Sequence, residues 1–226
     1  WSLTGNTGTT PATHSLGTAD NQALELHVDN KRALRLEPGV RSPNLIGGHS
    51  ANTVTAGAYG ATIGGGGAVD EANRVTDNYG TVGGGSRNQA GDGAGTTGDR
   101  SHATVGGGIG NTASRYAATV AGGERNHANT SNATVGGGYR NVITMTAGHA
   151  TIAGGFRNVI TKTGFCATIG GGYQNEVTES QATVGGGDRN KASGDFATIG
   201  GGYENAASAH SATIAGGGYN KASEGQ

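Results

Sequence analysis

Bulk and reactive groups are scarce in this chain. Among 226 residues there are one Trp, one Met, three Phe and seven Tyr, too few large side chains to fill an ordinary globular core. The one cysteine, Cys166, excludes an internal disulfide framework and supplies no metal-ligand spacing, so it is expected to fill a small buried or interfacial slot. A formal net charge of −1 removes the electropositive footprint that nucleic acid or an anionic membrane would require. No apolar run is long enough for a transmembrane helix, so no membrane insertion is expected. Trp1-Ser2-Leu3 does not open a signal peptide, and the chain reads as entering and leaving in mid-architecture.

Glycine, in contrast, is abundant at 47 residues. It does not recur at every third position, which excludes a collagen helix. It recurs instead inside a repeated motif, Ala-Thr-Ile/Val-Gly-Gly-Gly, followed by an Asn six positions after the aliphatic residue. Eleven aliphatic positions run from Ile46 through Ile63, Val82 and Val105 to Ile214, at intervals of 17, 19, 23, 15, 15, 17, 17, 15, 15 and 15 residues. So short a period marks a solenoid, and β-branched residues held in strict phase argue against disorder. The Gly-Gly-Gly segments lack the helix and the Lys-Ser/Thr pair of a phosphate loop; they read as corners, and no cofactor is expected.

One coil can be read side chain by side chain. Strand alternation in Ala197-Thr198-Ile199-Gly200 places Ala and Ile on one face and Thr and Gly on the other, with the first pair assigned inward. The Asn column, from Asn52 and Asn88 to Asn220, aligns at about 4.8 Å in stacked coils, where its amides are expected to bond one another inside a narrow core. In the coil of Ile63 the matching residue is Asn73, ten positions on. A second apolar residue two beyond each Asn, such as Ile143 or Ala192, implies two short strands per coil, closed by a variable loop. The outward Thr column and the small residues beside it form a flat face suited to packing on another subunit.

Recognition in a solenoid falls to irregular loops and outward stripes. Four positions after the aliphatic residue stand Tyr139, Phe156, Tyr173 and Tyr203, next to an Arg column that includes Arg140 and Arg157. Aromatic rings and guanidinium forks suit sugar rings and acidic glycans, but such residues are also common at subunit interfaces and serve to solubilise strand edges. Acids gather where the spacing slips. Asp70 and Glu71 lie in one insertion, Asp92 and Asp99 in another, with Asp77 between them. As acid and base on a polysaccharide, Asp70, Glu71, Asp92 and Asp99 are the catalytic candidates; as oxygen donors they would suit Ca²⁺, although no EF-hand spacing is met and no metal site is assigned. His102, His149 and His210 precede successive motifs and would bind a metal or anion only by facing a symmetry axis. No Ser/His/Asp or Cys/His constellation is present.

The run Ala182 to Ala192, with Ala-Thr-Val-Gly followed by an inward polar residue and an Ala, resembles the head repeat of YadA-like trimeric autotransporter adhesins. Asn replaces the usual Ser, three Gly stand where one is typical, and several coils are longer. The resemblance covers residues 45–226 and implies a left-handed parallel β-roll, homotrimeric, extracellular and used for attachment. Ahead of it, residues 23–28 and 33–37 alternate apolar and polar residues around Asp29-Asn30, which predicts a β-hairpin. With Trp1-Ser2-Leu3-Thr4-Gly5-Asn6 this N-terminal segment resembles modules of phage-tail-fibre-like proteins.

The expectation is therefore an all-β chain: a hairpin or cap segment over residues 1–44 and a parallel β-solenoid of about eleven coils over 45–226. It is expected to act as a homotrimeric fibre or adhesin head at a cell surface or on a virion, contacting glycans or another surface through Tyr139, Arg140, Phe156, Arg157, Tyr173 and Tyr203. The alternatives are a polysaccharide lyase or glycoside hydrolase on the same scaffold, and a passive spacer.

Overall fold

A computed structural model describes residues 5–10, 13–144, 146–161 and 163–223. Residues 1–4, part of the tail-fibre-like segment, lie outside the described residues. The fold is all-β and begins with β1 (Leu24–Val28), β2 (Lys31–Glu37) and β3 (Asn44–Gly47). Asp29 and Asn30 turn the hairpin with φ of 49° and 53°, the left-handed pair that matches strand twist and that Asp and Asn tolerate best. β2 pairs antiparallel with both β1 and β3, so the hairpin extends the first solenoid sheet across the boundary expected at residue 44. At this end the Arg32 guanidinium donates to the carbonyl oxygens of Ser50 and Asn52 at 3.0 and 3.2 Å, capping the first coil.

From β3 onward the chain climbs as a parallel β-solenoid. One sheet has 13 strands, counting β1 and β2, and the other has 11. Each later strand is two residues long. Thr-Ile or Thr-Val builds the first sheet, where β-branching fits a half-buried pleat. The register is strict: Thr119 faces Thr134 and Val120 faces Val135, a pattern kept to Thr213 and Ile214. A third ladder of single-residue bridges joins Ser86, Ile109, Glu124, Tyr139, Phe156, Tyr173, Asp188, Tyr203 and Gly218.

The inward assignments hold. The Ala and Ile/Val of the motif and the second apolar column fill one continuous core, with Ile63, Val105, Ile152 and Ile199 at 0% exposure. The Thr column faces outward and is half-buried or exposed. A side chain at Gly200 would lie 2.4 Å from the carbonyl oxygen of Ala215, so stacking within the chain already demands a small residue beside that Thr.

The Asn ladder differs from amide-on-amide stacking. Asn141 Oδ1 accepts the backbone N–H of Asn158 at 2.9 Å, and Asn141 Nδ2 donates to the carbonyls of Gly137 and Gly155 at 2.9 and 2.8 Å. The direct amide bond, Asn141 Nδ2 to Asn126 Oδ1 at 3.1 Å, is a third interaction of the same group. Each Asn therefore ties the Gly-rich corners of two coils to the strand that follows, as buried polar groups must find partners. Asn73 joins this ladder despite its insertion: its N–H meets Asn52 Oδ1 and its Oδ1 accepts from Asn88.

Candidate functional site

Most coils turn at two corners held by left-handed non-glycine residues, with Gly60 and Gly110 taking the place of one. One carries Arg87, Arg125, Arg140, Arg157, Gln174, Arg189 and Glu204, with φ from 50° to 57°. This conformation costs about 1–2 kcal/mol per residue, and here the corner amides are paired: the N–H of Arg140 reaches Glu124 O and that of Arg157 reaches Tyr139 O, both at 2.9 Å. The Arg side chains in this column are exposed.

The bridge ladder one residue earlier stacks the aromatic rings. Tyr139 and Phe156 have centroids 5.1 Å apart at 21°, and Phe156 and Tyr173 are 5.1 Å apart at 6°. Their faces therefore meet one another. Arg140 lies 5.1 Å over the Tyr139 ring and Arg157 5.2 Å over Phe156, while Arg125 Nη1 donates to the Tyr139 hydroxyl at 3.3 Å. Within the column the ring faces are thus occupied by one another, leaving ring edges and guanidinium forks toward the outside. Tyr203 stands two coils beyond Tyr173, past Asp188, and packs edge-on against Tyr219 at 5.2 Å. Hydrogen bonds to Glu204 and Tyr219 push its phenol up to about 12, and Arg189 donates to its hydroxyl at 3.2 Å. Thus five of the six expected ligand residues gather on three adjacent coils, with Tyr203 farther along the same edge.

The acidic candidates divide. Asp92 and Asp99 join Asp77, with one oxygen of each carboxylate within 4.8 Å of the others. Asp70 and Glu71 fall outside this group: Glu71 pairs with Arg87 at 3.2 Å, and Asp70 lines a groove with Val69, Arg74 and Gln89. Of the four candidate acids, Asp92 and Asp99 thus share one cluster with Asp77, while Asp70 and Glu71 lie outside it. Asp77 is fully buried and accepts from Thr76 and from the backbone N–H groups of Asp92 and Arg100, at 2.9, 3.2 and 3.3 Å. Asp92 pairs with Arg100 and Arg115, and Asp99 accepts from Thr96 at 2.7 Å, which lowers its pKa. These contacts staple the long loop to the solenoid.

Burial is the main cause that raises the pKa of Asp77. A carboxyl whose folded-state pKa exceeds its unfolded value of about 3.9 stabilises the fold fully below that value and loses the contribution as pH rises through the folded pKa. Melting midpoints of the protein and of Asp77→Asn should accordingly shift in the variant's favour between about pH 4 and neutrality. Parallel curves across that window would contradict this assignment.

Cys166 is exposed at the second left-handed corner, with φ of 56°, so of the buried or interfacial slot expected for it the chain itself supplies no buried one. His102 and His149 occupy the same corner, and His210 stands one residue ahead of it, next to Ser211. That edge carries a second aromatic series missed in the sequence: Tyr59 meets Tyr79 edge-on, Tyr79 stacks on His102 at 5.0 Å, and His102 meets Tyr116. His149 touches Phe165 and His210 touches Phe196. The signal was the residue pair just before each Ala-Thr-Ile/Val, obscured by variable loop composition.

No protein-family model matches the chain, and no curated protein matches it. Fold and surface together define a class: a parallel β-solenoid rod with a hydrogen-bonded Asn interior and an Arg and aromatic edge. Among the described residues no helix is long and apolar enough to cross a membrane.

Proposed function

We propose that this chain is the rod of an extracellular homotrimeric attachment fibre, an adhesin head or a tail-fibre segment, that contacts glycans on another surface. The observation that carries the reading is the contrast between interior and edge. Buried amides and backbone groups are engaged in ladders from coil to coil, whereas Tyr139, Arg140, Phe156, Arg157 and Tyr173 project from a rigid edge as one patch. Rigid presentation lowers the ordering cost of binding. The half-buried Thr column with its flat neighbours supports packing of three copies through the first sheet, since a surface of small side chains admits close approach.

Light scattering of the purified chain should give three times the 22.2 kDa subunit mass, and the same preparation should retain polysaccharides without cleaving them. A stable monomer sinks the trimer. Turnover abolished by Asp92→Ala would move the reading to a polysaccharide-degrading enzyme, and neither binding nor turnover would leave a spacer.

A further inference from the structure

We propose that the edge around Arg140 and Arg157 takes a linear acidic glycan, bearing carboxylates or sulfates, laid parallel to the solenoid axis. This rests on the glycan reading above and narrows it to one ligand chemistry and one place.

The first support is charge. Along this edge Arg87 pairs with Glu71, Arg125 with Glu124, and Arg189 with Glu204. Arg140 and Arg157 form no ion pair among the described residues; each lies only over its neighbouring ring. Acids bracket the patch at Glu124 on one side and Asp188 on the other, and none stands on the bridge ladder between them. Two exposed guanidiniums are thereby left for an external anion, already ordered by the ring beneath.

The second support is duplication. Arg-Asn-Val-Ile-Thr occurs at residues 140–144 and again at 157–161, each in a coil of 17 residues and each preceded by an aromatic. Val142 and Val159, paired in register on the second sheet and half-buried, add an apolar strip beside each Arg. Other coils place polar, charged or small residues there, such as Gln89, His127, Glu176, Lys191 and Ala206. Two near-identical coils stacked at about 4.8 Å present one fork per step, which suits a polymer with regularly spaced anions.

The third support bears on the kind of polymer. The corner amides here are spent on the neighbouring coil, as in Arg157 N–H to Tyr139 O and Tyr139 N–H to Gly155 O, so no strand edge remains for an extended peptide to join. An acidic glycan needs only the side-chain forks and the ring and Val surfaces beside them.

The test is calorimetric titration of the whole chain with oligogalacturonate, a heparin oligosaccharide, a neutral β-glucan and duplex DNA at two salt concentrations. Acidic oligosaccharides of at least one type should bind, more weakly at high salt. R140Q/R157Q should weaken that binding about tenfold or more without changing the melting midpoint or the subunit count. R140K/R157K, which keeps the charge but not the fork, should fall between the two. Acidic-glycan binding that survives R140Q/R157Q overturns the site. Binding of the neutral glucan alone keeps the glycan reading and overturns this inference, whereas no glycan binding overturns both. DNA bound as tightly as the acidic glycans overturns the choice of glycan.

Discussion

Asn141→Leu is expected to destabilise the rod by roughly 2–6 kcal/mol, because it orphans one buried and one partly buried backbone group at about 1–3 kcal/mol each. The carbonyl of Gly137 loses its Nδ2 donor and the N–H of Asn158 loses its Oδ1 acceptor. The Gly155 carbonyl is spared in part, since it also accepts from the N–H of Tyr139. Leucine keeps the branching at Cγ but carries bulkier methyl groups into a fully buried site, so overpacking adds to the lost hydrogen bonds. Lys191→Ala serves as the control: its ion pair with Glu176 spans 2.8 Å, but the two side chains are 49% and 38% exposed, and such pairs are worth about 0–1 kcal/mol. Thermal melts of both variants should differ by on the order of 10 °C. Equal shifts would reject the Asn ladder as a source of stability.

Gly155→Ala should be comparably severe, while Gly122→Ala should be silent. Gly155 has φ of +92°, and a Cβ there would sit 2.3 Å from the carbonyl oxygen of Gly172 and 2.6 Å from Asn158 Nδ2. The left-handed conformation costs Ala about 1–2 kcal/mol, and overpacking against neighbouring backbone typically adds about 1–3. Gly122 has no positive φ, and a Cβ there would have nothing within 4 Å. Removing that Gly restricts the unfolded chain, so the variant should be neutral or gain up to about 1 kcal/mol. Denaturant titration separates the two, and a Gly122→Ala loss as large as that of Gly155→Ala would show that both corner glycines are under the same constraint.

These contrasts indicate what can be read from a sequence of this kind. The aliphatic period, the inward Ala and Asn columns and the Asp29-Asn30 hairpin were legible because alternation and repetition are local signals. The partners of the Asn amides were not legible, since whether an amide meets another amide or a glycine carbonyl depends on the path of the corner. The grouping of Asp77 with Asp92 and Asp99 was equally hidden, because a loop of ten or more residues can close on either neighbour. The Tyr139 and Phe156 column is legible four positions after each aliphatic residue, yet the facing of its rings follows from a bridge ladder that no composition reveals. Cys166 is a related case: small size suggests a buried or interfacial slot, and its exposed corner removes the first of these.

The insertions have a further consequence. The chain from Val82 to Val105 spends 23 residues on one coil and the chain from Val184 to Ile199 spends 15, yet both lie in unbroken parallel register. Height is therefore counted in turns and not in amino acids: eleven turns at about 4.8 Å give a rod of roughly 50 Å, whatever the loops contain. The flanking loops can lengthen or change while reach stays constant, and reach changes in fixed steps as a turn is added or removed. The molecule behaves as a graduated staff, whose marks carry the variable text and whose length is set separately.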